Sequence, residues 1–462
     1  MSVTEAETGT FFSVNPATEE QIGEYPALAP AQVESAVAAA EAAFQVNRRQ
    51  PVAWRQERML RLAQLLRQER DRLAHLVTSE MGKPLSEAEA EVDKCAVSCE
   101  YFAHQAAGFL ADEPAPSDSP RSVVAFRPLG VILAIMPWNY PLWQVLRFAA
   151  PALMAGNSAL LKHAPNCFGT ALTLEQLVAE AGFPDGALGA LVIGTEPVPG
   201  LLADRRVRAV TLTGSDTAGS RVAEVAGREV KKAVLELGGS DFFLVLADAD
   251  LAQAAEIGVR ARFQNAGQTC IAAKRFLVAE TVADEFEQRF AKLAGQLRVG
   301  DPLDRETRLG PLARQDLRQR LHGQVLRSRE AGGEVVLGGE LPEGRGFFYP
   351  PTVVRGARPG MAVFDEETFG PVAAMTRFGS EAEGLELANH SRYGLGGNIW
   401  TGDVEHGMRL AAELDTGGVF VNGMTHSDAR LPFGGVKRSG FGRELHHFGI
   451  REFTNIQTIW RP

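Results

Sequence analysis

Apolar residues recur at three- and four-residue spacing from Ala31 to Phe44 and from Ala53 to Met81, which predicts a helix over each stretch. The second is expected to stop at Gly82-Lys83-Pro84, a glycine followed by a proline. Ser86 is placed to cap a third helix, with Glu87, Glu89 and Glu91 in its first turns and its end near Tyr101. Residues 112–118 break the periodicity, and Ser122 to Arg127 then alternates as an edge strand would. A strand projecting between helices in this way reads as an oligomerisation arm.

The pattern changes beyond residue 130. Short apolar runs at Val131–Ile135, Ser158–Leu161, Ala190–Ile193 and Ala209–Leu212 read as buried parallel strands, with Thr170–Ala181 as a crossover helix. That is a doubly wound, nucleotide-binding pattern. The dinucleotide fingerprint G-x-G-x-x-G is absent; Thr213-Gly214-Ser215 stands at a comparable strand end, with Gly219 beyond it. A second α/β series follows: Phe242–Leu246, a helix over Leu251–Gln264, Arg275–Val278 and a helix over Val282–Leu297, ended by Gly300-Asp301-Pro302. Further strands are predicted at Val335–Leu337, Val372–Thr376 and Gly418–Val421. The loosely alternating tail, Phe453 to Trp460, is suited to pairing with another subunit.

Composition narrows the class. A chain of 462 residues has room for two to four domains' worth of core. Its formal net charge of −10 disfavours nucleic acid or an anionic membrane as a main partner, so any bound anion needs a local cationic site. The cysteines, Cys95, Cys99, Cys167 and Cys270, are too scattered for a disulfide framework, and no histidine cluster accompanies them. A reducing cytoplasm and no metal are therefore expected. Met1 to Thr10 is acidic and lacks a basic-then-apolar signal, so no targeting peptide is expected. Val131 to Met136 ends at a proline, far short of the roughly 20 residues of a membrane span.

The candidate chemistry lies in two runs, Glu236-Leu237-Gly238-Gly239-Ser240 and Asn265-Ala266-Gly267-Gln268-Thr269-Cys270. A cysteine nucleophile needs a base, either to form thiolate or to activate the water that later frees an acyl group. Small and glycine residues flank both groups, which lets the backbone turn tightly around them. By residue type alone, a cysteine is more often a small buried apolar residue. Together the runs resemble the signature segments of the NAD(P)-dependent aldehyde dehydrogenases. The resemblance covers nearly the whole chain, with Pro137-Trp138-Asn139-Tyr140-Pro141, Leu160-Leu161-Lys162, Thr213-Gly214-Ser215, Glu366 to Pro371 and Pro432-Phe433-Gly434-Gly435 in family order. Leu161 to Asn166 and Ser427-Asp428-Ala429-Arg430 are similar to the bacterial succinate-semialdehyde branch of the Sad type.

The resemblance implies an α/β fold with a Rossmann-type cofactor domain (residues 1–110 and 131–241), an α/β catalytic domain (242–430) and a small β oligomerisation arm (111–130 and 447–462). It implies Cys270 as nucleophile, Glu236 as the base that activates water, and Asn139 as an oxyanion donor. For NAD or NADP it implies Trp138, Lys162, Gly214, Ser215, Leu237, Glu367 and Phe369. For the carboxylate of succinate semialdehyde it implies Arg147 and Ser427. Pro165 stands where many NAD-preferring members carry a glutamate, so no carboxylate excludes NADP. Gln264 replaces a second arginine found in some succinate-semialdehyde enzymes, leaving Arg262 or Lys274 as substitutes. Ala272 rules out a redox-switch disulfide two positions past the nucleophile. The expected assembly is a homodimer or homotetramer. Glutarate semialdehyde or a broad aldehyde range are alternatives, and a non-catalytic binding protein or a thiol hydrolase would be readings from other classes.

Overall fold

A computed structural model describes residues 9–118 and 122–461. The acidic opening read above for a targeting signal lies outside them as far as residue 8.

The buried strand runs form a six-stranded sheet in the order Gly440–Phe441, Lys232–Glu236, Val207–Thr213, Val131–Ile135, Ser158–Lys162, Leu188–Ala190. All neighbours are parallel except the first pair, where Gly440 sits opposite Glu236. The chain starts in the middle, at Val131–Ile135, winds outward through Ser158–Lys162, then returns to the other side at Val207–Thr213. That reversal opens a crevice at the carboxyl ends of these strands, the place where open α/β sheets bind ligands.

A seven-stranded sheet follows, in the order Glu334–Leu337, Thr352–Arg355, Val372–Phe378, Ala273–Ala279, Asp241–Val245, Gly397–Trp400, Val419–Val421. Its aromatic layer, Phe243, Phe276, Phe286 and Phe290, is fully buried and brings ring centroids to 4.7–6.5 Å of one another. Four residues, Leu237 to Ser240, carry the chain from the first sheet into this one. The carboxyl edge of the cofactor-type sheet therefore faces the amino edge of the second.

Several elements depart from expectation. The helix predicted over Ala53–Met81 is two, Val52–Gln68 and Arg70–Met81, hinged at Glu69 (φ −94°, ψ 11°). The next helix, Leu85–Phe109, is capped by Pro84 without a side-chain bond, so Ser86 is inside its first turn rather than its cap. It runs past Tyr101 because Phe102, Ala103 and Ala106 continue its buried face. Val123–Pro128 is not an edge strand but the centre of a three-stranded sheet, between Glu113–Pro114 and Thr454–Ile459. The tail thus pairs within its own chain. Among the described residues no helix is long and apolar enough to cross a membrane, and no group of His, Cys, Asp and Glu is arranged to hold a metal.

Candidate active site

Glu236 ends its strand at the crevice. Asp241–Val245, the helix Leu251–Phe263 and Ala273–Ala279 then make one strand–helix crossover, which returns the chain to the same edge just after Cys270. The separation of the two motifs in sequence is the length of that crossover. They also touch: a Cβ on Gly239 would come within 2.5 Å of the Cys270 carbonyl oxygen, so only glycine allows this approach.

The loop before Cys270 is strained. Asn265, Ala266 and Gly267 take left-handed φ values of 55°, 52° and 71°, conformations that cost non-glycine residues about 1–3 kcal/mol each. The surroundings hold them there. Asn265 Nδ2 donates to the carbonyls of Asn139 (2.8 Å) and Gln268 (3.2 Å), and its backbone N–H donates to Glu87 Oε2 (2.8 Å). Gln268 Oε1 accepts from Ala313 N–H at 2.9 Å. Arg262 and Lys274, offered above as substitutes for the missing arginine, are fully buried and spent on backbone carbonyls. Arg262 donates to Gly267 (2.8 Å) and Gly370 (2.7 Å), and Lys274 to Thr269 (3.0 Å) and Cys270 (2.7 Å). They are braces for the loop and are not open to a ligand.

Cys270 is half-buried, whereas Cys95, Cys99 and Cys167 are buried, so it is the one thiol in reach of a ligand. Burial pushes it up to about 12, and the charges of Arg147 and Lys274 pull the other way. Asn139 Nδ2 donates to the Gln268 carbonyl at 3.0 Å, which leaves its second N–H proton unspent.

Glu236 is buried, and neither of its carboxylate oxygens has a hydrogen-bond partner among the described residues. Burial raises its pKa well above the usual carboxylate range, and the neighbouring Glu444 carboxylate raises it further. Glu444 went unnoticed in the sequence; it follows Gly442-Arg443, and nothing local marks it as special. The pairing of Gly440–Phe441 with the Glu236 strand is what brings it here.

Arg147 differs from expectation. The resemblance implies a guanidinium for the substrate carboxylate. It is 2% exposed, forms an ion pair with Glu444, donates to Thr213 Oγ1 at 3.3 Å and lies over the Phe433 ring. The helix Trp143–Ala155 is buried along its whole length, so a charge at this position needs a partner from its own chain. Ser427 accepts from Trp143 Nε1 (3.1 Å) and from Lys94 Nζ (2.7 Å), a lysine the sequence did not single out. Gln264 opens the short turn of helix Gln264–Gly267 ahead of the strained residues.

The remaining candidates line the crevice. Ser215 caps the helix Asp216–Arg228 through Ala218 N–H (3.2 Å), and Gly214 N–H donates to the Glu236 carbonyl (3.0 Å). The first N–H groups of such a helix carry partial positive charge, which suits an anion. Leu237 packs on Gly219, where a Cβ would lie 2.5 Å from its Cδ2. Lys162 is buried at its strand end without an ion pair among the described residues, and burial holds it down to about 8. His163, next along, donates from Nε2 to the Pro141 carbonyl at 3.0 Å and accepts at Nδ1 from Ala164 N–H. Burial pushes it down to about 4, so it is neutral and ties the Lys162 strand to the Asn139 turn. Glu367 accepts from Gly239 N–H at 2.9 Å and faces Lys274 at 3.7 Å. Phe369 meets Trp138 edge-on at 5.7 Å. A buried unpaired cation, a capped helix N-terminus and an aromatic wall in one crevice fit a dinucleotide.

Residues 3–459 match the Aldehyde dehydrogenase family. The chain belongs to that family. It is 47% identical over 449 residues to the succinate semialdehyde dehydrogenase [NAD(P)+] Sad of Escherichia coli, covering 97% of each chain. It is likewise 47% identical to a probable succinate-semialdehyde dehydrogenase [NADP(+)] of Synechocystis sp., covering 97% of this chain and 99% of that one. Among solved structures, the succinic semialdehyde dehydrogenase of Streptococcus pyogenes in complex with NADP+ superimposes with a TM-score of 0.96 at 37% identity, over 98% of this chain and 99% of the other.

Proposed function

We propose that this chain oxidises succinate semialdehyde to succinate with NAD or NADP. The observation that carries this reading is a single reachable thiol, Cys270, on a braced loop that touches Gly239, three residues after a buried carboxylate, Glu236, whose oxygens are unspent. The names of its relatives point to the same substrate.

Cys270 releases its proton through water to solvent and the thiolate sulfur attacks the carbonyl carbon, forming a thiohemiacetal oxyanion. The oxyanion so created faces the spare Asn139 N–H and the Cys270 backbone N–H. Removing one such donor typically costs roughly 2.7–4 kcal/mol of transition-state stabilisation. A bound nicotinamide would supply the acceptor for the hydride released as the oxyanion collapses to the thioester. Glu236 then takes a proton from water, which adds to the thioester carbonyl; the acid leaves and the thiol is restored. In the crevice Lys162 would hold the adenosine ribose, Gly214 and Ser215 the pyrophosphate, and Glu367 and Phe369 the nicotinamide ribose. Trp138 and Leu237 supply apolar walls. Ser427 lies at the carboxylate end, with Arg147 adding positive field from behind its Glu444 partner. Pro165 begins the turn after Lys162 and offers no charge to repel a 2′-phosphate. The exposed Ile456, Ile459 and Trp460 on and beside the tail strand support assembly as a homodimer or homotetramer, and the thiol chemistry fits a reducing cytoplasm.

The test is a panel of steady-state rates over succinate semialdehyde, glutarate semialdehyde, butanal and benzaldehyde, each with NAD and with NADP. Succinate semialdehyde should give the highest kcat/KM, and both dinucleotides should support turnover. Equal values for succinate semialdehyde and butanal would replace the reading with a broad-range aldehyde dehydrogenase.

A further inference from the structure

Between the helices Leu85–Phe109 and Trp143–Ala155, the half-buried Lys94 ammonium lies over the Trp143 ring at 4.2 Å and donates to Ser427 Oγ at 2.7 Å. Trp143 Nε1 donates to the same oxygen. With two donors on its oxygen, Ser427 keeps its own O–H proton to give. Trp143 stands one helical turn before Arg147, so the ammonium and the guanidinium approach the same helix face.

Lys94 makes no ion pair among the described residues. The carboxylates whose charge reaches it, Glu91 and Asp428, are engaged elsewhere. Glu91 is paired with Lys83 and accepts from the N–H groups of Leu142 and Trp143, both at 2.9 Å; Asp428 is held by Arg430 at 2.6 Å. Burial, and then repulsion from Arg147, holds the ammonium down to about 8. A cation drawn partly out of water, beside a second cation and without an anion, is an arrangement that a bound carboxylate relieves. Arg147, by contrast, already has Glu444. The location suits the chemistry as well. Trp143 belongs to the apolar cluster against which Cys270 packs, and the charge of Arg147 reaches both Lys94 and Cys270.

We propose that Lys94, acting with the Ser427 hydroxyl, binds the distal carboxylate of the substrate and so sets the preference for ω-carboxy aldehydes over uncharged ones. This inference rests on the reading of the preceding section, that the substrate carries such a carboxylate.

Steady-state rates on succinate semialdehyde and butanal, for the wild type, Lys94→Met and Lys94→Arg, test it. A hydrogen bond to a charged group predicts a loss in Lys94→Met of about ten- to a hundredfold in kcat/KM for succinate semialdehyde, mostly through KM. Butanal kinetics should be unchanged, and Lys94→Arg should recover most of the preference. An undiminished preference in Lys94→Met, or equal losses on both aldehydes in both variants, overturns the assignment and leaves Lys94 a packing residue. A wild type that does not prefer succinate semialdehyde overturns the parent reading instead, and is seen before any variant is made.

Discussion

The two halves of the proposed chemistry are built in opposite ways. Around Cys270 the backbone is tied down: the carbonyls of Gly267, Thr269 and Cys270 accept from Arg262 or Lys274, and Asn265 bonds on both sides of the turn. Around Glu236 the carboxylate oxygens are left unpaired, although the group is buried and a like charge sits beside it. The difference follows from what each must do. A nucleophile has to be in the right place, and strain offset by many bonds fixes place. A base has to have open lone pairs and enough basicity to take a proton from water, and burial without partners supplies both.

The largest effects should come from removing each group. Cys270→Ala is expected to lower aldehyde oxidation by at least about 10⁴-fold while dinucleotide binding, followed by fluorescence titration, stays near wild type. Glu236→Gln should behave differently. Rapid-quench measurement should show a burst of about one NADH per site and then turnover slowed by roughly 10²–10⁴. If both variants lose the burst, the division of labour between place and base is wrong.

An intermediate effect should come from the brace. Asn265→Ala loses the side-chain bonds and keeps the strained φ, whereas Asn265→Gly loses the bonds and relieves the strain. The alanine variant should be the less stable by about 1 kcal/mol in urea unfolding. Both should react more slowly than wild type with a thiol alkylating reagent. Wild-type alkylation rates in both would show that the turn alone places the sulfur.

The smallest effect concerns pH. Glu444 raises Glu236, and Arg147 lowers it. Glu444→Gln removes the first and frees the second, so both changes move Glu236 downward. Since the ionised form is the base, the acid limb of the kcat profile should shift to lower pH, provided thioester hydrolysis limits turnover. Arg147→Leu should shift it to higher pH, and by the same amount for succinate semialdehyde and for butanal.

Much of this is legible in the sequence. Most strand runs of both sheets, the crossover helices, the two motifs and the absence of a phosphate-binding fingerprint lie in local patterns of apolar residues and glycine. The short strands Lys232–Glu236, Thr352–Arg355 and Gly397–Trp400 escape that reading, and the run expected at Ala190–Ile193 pairs instead at Leu188–Ala190. What could not be read depends on long-range pairing. Gly440–Phe441 is too short to show as a strand, yet its register opposite Glu236 delivers Glu444. Arg147 looked available because a sequence shows an isolated charge and not its partner 297 residues away. Lys94 sits next to the buried positions Val92, Cys95, Ala96 and Cys99 of its helix, and a charge beside that apolar run was the available signal. The helix break at Glu69 left no glycine or proline to mark it.

The short strand opposite Glu236 also bears on how the molecule comes into being. Both signature motifs leave the ribosome well before residues 433–445, which lay Phe433, Gly434 and Gly440 against the pocket and bring in the Arg147 partner. During synthesis the growing chain therefore holds a nucleophile and a base while the wall around the base is missing and one arginine is buried without its counter-charge. Contacts of such sequence separation form late. Catalytic competence thus waits until residues 433–445 have joined the fold.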